Sequence, residues 1–134
     1  MMKINAIISQ ASDGHYGIYC KNVSCCFADG ETESEAREML EEVLIEQSEY
    51  YKSQHGCLPD WAQDGWEIEY RYDFSGFFLS FPFINASGFA KALGINPSLM
   101  RKYKKGHAFA SEKQKALIQS RFQEIVARMN SVMF

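Results

Sequence analysis

The densest chemistry in the chain lies in the run Asn96-Pro97-Ser98-Leu99-Met100-Arg101-Lys102-Tyr103-Lys104-Lys105, where four cations fall within five residues. Guanidinium and ammonium groups beside Ser and Asn are the groups that bind a nucleic acid. Lys and Arg neutralise phosphates, while Arg, Asn and Ser also hydrogen-bond base edges. At helical spacing Met100 and Tyr103 turn inward, which leaves the polar residues outside. Early residues of such a helix approach base edges, so Asn96, Ser98, Leu99, Arg101 and Lys102 are the expected base or groove contacts. Lys104 and Lys105 are expected to neutralise phosphates, which adds affinity without sequence information.

Other reactive side chains form no comparable group. Metal-dependent phosphodiester cleavage needs several carboxylates converging on an ion. The strand positions Lys3, Asn5, Ser9, Tyr16, Ile18 and Cys20 offer none, and Asp13 and Asp29 fall in turns. His15, His55 and His107 occupy three different local contexts. The cysteines Cys20, Cys25, Cys26 and Cys57 contain no C-x-x-C pair, and adjacent Cys25 and Cys26 would face opposite sides of a strand. Reduced, mostly buried thiols in a cytosolic protein are the reading, with no catalytic residue, metal or cofactor expected. One acidic feature stands out. Glu35, Glu38, Glu42, Glu46 and Glu49 recur at three- and four-residue steps and share one helix face. Such a stripe is either a solvated face or a docking surface for a basic partner, with Glu38, Glu42 and Glu46 at its centre.

Two short helices must position the basic run. Asn85 caps the first. Ala90 is small enough for a close crossing, Gly94 supplies a tight turn and Ile95 plugs the space between the helices. Asn96 then caps the second, Pro97 takes its first position, and Gly106 ends it. Together these residues predict a helix-turn-helix over 85–106, docked in a major groove. Beyond it, Ser111 and Gln114 form a capping-box pattern. Leu117, Ile118, Phe122, Ile125, Val126 and Met129 follow as an apolar stripe on a closing helix, suited to core or to a dimer contact. A two-fold dimer reads paired half-sites.

The preceding half reads differently. Met2, Ile4, Ala6 and Ile8 alternate with Lys3, Asn5, Ile7 and Ser9, as in a strand. After the Asp13-Gly14 turn, His15 to Cys20 reads as a second strand, and Lys21-Asn22 turns the chain into a third through Val23, Cys25 and Phe27. Thr32 and Glu35 form a capping box for a helix to about His55, with Ala36, Leu40, Val43, Leu44 and Tyr51 at helical spacing. Leu58-Pro59-Asp60 is loop. Trp66, Ile68, Tyr70 and Tyr72 alternate with Glu67, Glu69, Arg71 and Asp73 as a further strand. Phe74 to Phe81 is a short helix that Asp73 caps and Pro82 stops.

The expected fold is therefore α+β: a β-β-β-α-β unit over 1–73 followed by an all-helical unit over 74–134. With 46% hydrophobic and 23% charged residues the chain is globular. No apolar run has the length of a membrane span. Met1-Met2-Lys3-Ile4 passes straight into the alternating pattern, so no secretory leader is expected. The formal charge of −3 conceals an asymmetry. Residues 1–84 hold five basic and 15 acidic residues, a net −10, whereas residues 85–134 hold nine basic ones against Glu112 and Glu124, a net +7. A basic module with a groove-fitting helix is the footprint of a DNA binder.

The chain resembles the HicB family of antitoxins, in the version that carries a C-terminal lambda-repressor-like helix-turn-helix. Gly30-Glu31-Thr32-Glu33-Ser34-Glu35-Ala36 resembles the family's Gly-acid-Thr-x-x-Glu-Ala signature at the junction of third strand and helix. The segments from Gly94 to Tyr103 and from Phe109 to Gln114 look like HicB-type proteins of the Bacteroides group. The family often has a Pro-Asp-x-Pro-Gly run before the helix, where this chain has Val23-Ser24-Cys25-Cys26-Phe27-Ala28-Asp29. The resemblance implies a partial ribonuclease-H-like N-terminal domain that blocks a HicA toxin, a small ribonuclease with a fold like double-stranded-RNA-binding domains. It also implies a second domain that represses the operon's own promoter. The alternative is a solitary transcription regulator whose N-terminal domain senses a ligand or only dimerises.

Overall fold

The computed structural model describes residues 1–24 and 26–134, and is mixed α+β. It divides into two compact units, Met1–Phe81 and Pro82–Phe134. Among the described residues no helix is long and apolar enough to cross a membrane.

In the first unit, alternation in β1 (Met2–Gln10) sends Ile4, Ala6 and Ile8 into the core with no exposure. The Asp13-Gly14 turn is held by Asp13, whose carboxylate accepts from the His15 N–H at 2.9 Å. It leads to β2 (Tyr16–Cys20), antiparallel to β1 with Ile8 opposite Ile18. Asn22 braces the start of β1 by accepting from Asn5 N–H at 2.9 Å and donating to the Lys3 carbonyl at 2.7 Å. The third strand, β3 (Phe27–Gly30), begins later than its residue pattern suggests. Val23 precedes it in a bend, and Cys25 lies outside the described residues.

At Gly30 the chain turns into the first helix at very close range. A Cβ there would meet the Ala36 backbone nitrogen at 2.6 Å, so only glycine fits this junction. Thr32 accepts from Glu35 N–H at 3.1 Å, but Glu35 returns to the N–H of Glu31 rather than to that of Thr32. Helix α1 (Glu33–His55) buries Ala36, Leu40, Leu44 and Ser48 at four-residue steps and stops at Gly56, whose φ is 77°. Its inward row ends at Ser48, so Tyr51 is exposed rather than core-facing.

After α1 the chain makes a single 3-10 turn, Asp60–Ala62, at the end of the expected loop and enters β4 (Trp66–Tyr72). β4 lies parallel to β1, with Ile4 opposite Ile68, giving the sheet order β3-β2-β1-β4. Ile68 and Tyr70 pack with Ile4, Ile8, Ile18, Leu40 and Leu44 in one core. Asp73 caps α2 (Phe74–Ser80) by accepting from Gly76 N–H at 2.8 Å. A Cβ on Gly76 would stand 2.1 Å from the Ile8 carbonyl oxygen, so α2 lies directly on β1. The boundary between the units therefore falls after Phe81, and not after Asp73: α2, expected to open the helical unit, belongs to the sheet.

Candidate nucleic-acid interface

The second unit begins with α3 (Ala86–Leu93), started by Asn85, whose side-chain oxygen accepts from Gly88 N–H at 2.9 Å. Ala86, Ala90 and Leu93 are buried. Gly94 follows with φ 70°, a left-handed conformation that Gly adopts without the Cβ penalty. Its N–H donates to Lys91 O at 3.2 Å and Ile95 N–H to Ala90 O at 2.9 Å, so two orphan carbonyls of the helix are paired. Ile95 is buried after the turn. A second short helix then starts at once. Asn96 accepts from the N–H groups of Ser98 and Leu99 at 2.8 and 3.2 Å, and Pro97 opens α4 (Pro97–Lys105). The helix ends on Gly106, with His107 N–H reaching Lys102 O at 2.9 Å.

Met100 and Tyr103 are buried on the inner side of α4. On the other side Ser98, Lys102 and Lys105 stand exposed at steps of four and three residues, with Arg101 and Lys104 exposed beside them. Leu99 is half-buried, and the Asn96 oxygen is already occupied by the cap. The stretch 74–111 carries no acidic residue.

Arg101 is not a loose side chain. Its Nη1 donates to Ser87 Oγ at 2.7 Å and its Nη2 to Ser98 Oγ at 3.0 Å. Ser87 belongs to α3, eleven positions before Ser98, and its part was not legible in the sequence, because a lone serine in a helix's first turn carries no long-range signal. Arg121 was equally hidden. From the last helix, α5 (Glu112–Asn130), it donates to the Leu93 carbonyl at 2.5 Å and so caps the end of α3. Phe122 packs edge-on to Phe89 at 5.9 Å, a second tie between α5 and α3. Ser111 starts α5 by accepting from Gln114 N–H at 3.1 Å. Of the expected apolar stripe only Ile118 is fully buried. Phe122 and Ile125 are half-buried, while Leu117, Val126 and Met129 are exposed.

In the first unit, Glu38, Glu42 and Glu46 are all exposed. Each stands two positions beyond a member of the buried row Ala36, Leu40 and Leu44, hence about 200° round the helix from it. Glu35 and Glu49 are exposed as well. Among the described thiols Cys26 is buried, Cys20 is half-buried, and Cys57 is exposed where a buried thiol was expected. Burial, with the neighbouring Cys26, pushes the Cys20 thiol up to about 12.

The charge asymmetry coincides with the two units, because residues 82–84 are Pro, Phe and Ile: the first carries −10 and the second +7. Compared with known protein families, curated proteins and solved structures, the chain matches none.

Proposed function

We propose that the chain is a HicB-type antitoxin: a DNA-binding repressor of its own promoter whose N-terminal unit restrains a HicA-like toxin. The observation that carries the DNA half is α4. Its exposed side joins Ser98, Arg101, Lys102 and Lys105 on a helix capped at both ends and backed by α3. Asn96 serves mainly as the cap in this reading, Leu99 as a half-buried apolar contact, and Lys104 and Lys105 as phosphate partners. In this reading the second unit is the lambda-repressor-like domain, which its α3-turn-α4 order supports, and the β-β-β-α-β order of the first supports a partial ribonuclease-H-like domain.

The DNA reading is tested with a duplex from the promoter of the chain's own gene. Arg101→Ala is expected to lower affinity and relax base discrimination by roughly 1–3 kcal/mol, as loss of a bidentate base contact does. Lys105→Ala is expected to weaken all sequences similarly and flatten the salt dependence. If both variants bind the promoter as the parent does, α4 is not the recognition helix.

The toxin half rests on the charge of the first unit and on the exposed row Glu38, Glu42 and Glu46. An RNA-cleaving toxin is basic where it holds RNA, and an acidic row speeds and selects that encounter. Reversing the three charges should weaken capture of a toxin encoded beside the gene; unchanged affinity at low salt would remove the row from the interface. The solitary-regulator reading draws on the Val23–Asp29 stretch, which lacks the family's Pro-Asp-x-Pro-Gly run. It is the better one if co-expression with the neighbouring gene product yields no complex.

In the antitoxin reading the DNA-binding form is a homodimer, with α5 as a contact between the copies. Val126 and Met129 leave 41% and 62% of their surface exposed on a helix whose middle is tied to α3. A second copy is the occupant that paired half-sites require.

A further inference from the structure

We infer that Ser87, on the helix that does not enter the groove, is a positioning residue that aims Arg101 at a guanine; this rests on the DNA-binding reading of α4. An exposed arginine has many rotamers and loses that freedom when it binds. Here the guanidinium is already held from two directions, by Ser87 Oγ at 2.7 Å and by Ser98 Oγ at 3.0 Å. Ser98 lies on α4 itself, one turn earlier, and restrains only the path of the side chain along its own helix. Ser87 ties the same group to α3, which orients it relative to the pair of helices. Two of the five guanidinium N–H groups are used, leaving three. Two of those satisfy the N7 and O6 acceptors that guanine displays side by side in the major groove.

The clamp does little for the fold. The α3–α4 contact is already made by buried Ala90, Leu93, Ile95, Met100 and Tyr103, whereas the Ser87–Arg101 bond lies among exposed groups. Hydrogen bonds that water can replace add little to stability. Its consequence is preorganisation: a group fixed in its bound direction loses less freedom on binding. Adenine offers an acceptor and a donor where guanine offers two acceptors, so an aimed guanidinium separates the two.

The test uses the full chain and duplexes that the chain itself selects from a random-sequence library. Affinity for the selected duplex, its single-base variants and an unselected duplex is read by fluorescence anisotropy, with melting followed by circular dichroism. For the parent, replacing one guanine per half-site by adenine is expected to weaken binding about tenfold or more, and Arg101→Ala to erase that preference. Ser87→Ala should cut the guanine preference several-fold while unselected DNA binds within about twofold of the parent, since phosphate contacts are untouched. Ser87→Thr, which keeps the hydroxyl, should retain the preference. Intact discrimination in Ser87→Ala beside lost discrimination in Arg101→Ala overturns the role of Ser87 alone. Equal loss on every duplex with a lowered melting temperature also overturns it, as that is a structural role. If the parent selects no duplex at all, the DNA reading fails and this inference with it.

Discussion

Asn96 links two tasks through a single oxygen. It accepts from Ser98 and Leu99 N–H groups, and so starts α4 at the point where Ile95 has just closed the turn. Replacing an Asn cap by Ala costs about 0.5–2 kcal/mol, so Asn96→Ala should lower the melting temperature and weaken all DNA alike. A sequence-selective loss would instead mean that Asn96 touches a base. The cysteines give a chemical check on the first unit. Because its thiol is pushed up to about 12, first by burial and then by Cys26, Cys20 remains protonated well above neutrality. Only the thiolate is the nucleophile. A pulse of iodoacetamide at about pH 8, near the ordinary cysteine pKa, should therefore modify exposed Cys57 well before Cys20. Peptide mapping by mass spectrometry reads the order, and equal rates would contradict the packing around Cys20. Caps and turn residues were legible in the sequence because each acts within four positions of itself. Ser87 and Arg121 were not, because their partners lie 14 and 28 residues away.

At the scale of elements the difficulty was allegiance rather than identity. Period and capping predicted α2 well, yet neither says which neighbour a helix joins. Gly76 decides it, by allowing α2 to lie against the Ile8 carbonyl where a Cβ would be 2.1 Å away. Since the obstacle is backbone, Gly76→Ala must displace the helix or the strand, at roughly 1–3 kcal/mol in the manner of an overpacked site. Both tryptophans, Trp61 and Trp66, lie in the first unit, so their fluorescence reports that unit's unfolding in urea. A midpoint equal to the parent's would show that α2 is not held there. The acidic row of α1 was legible for the opposite reason. A helix's own periodicity placed Glu38, Glu42 and Glu46 together, and the buried four-residue row on the far side left them exposed.

For the whole molecule, a −10 unit and a +7 unit in one chain would, in the proposed function, separate two kinds of partner by charge. The basic unit is small, and one nine-residue helix would contact few bases, so the proposed repression requires a second copy at a second half-site. α5 has the features that a self-complementary contact needs. Val126 and Met129, three positions apart, are exposed on it. In a two-fold contact the same patch meets itself. Two antiparallel copies crossing near Val126 would thus bury Val126 and Met129 against their images. A carboxylate placed at that crossing meets its own image, and both charges lose water. Val126→Glu should therefore convert a dimer into a monomer in sedimentation velocity, leave the helical circular dichroism unchanged, and weaken binding to a two-half-site duplex far more than to a single half-site. A parent protein that sediments as a monomer at working concentration, or a Val126→Glu variant that remains dimeric, would place the pairing surface elsewhere than α5.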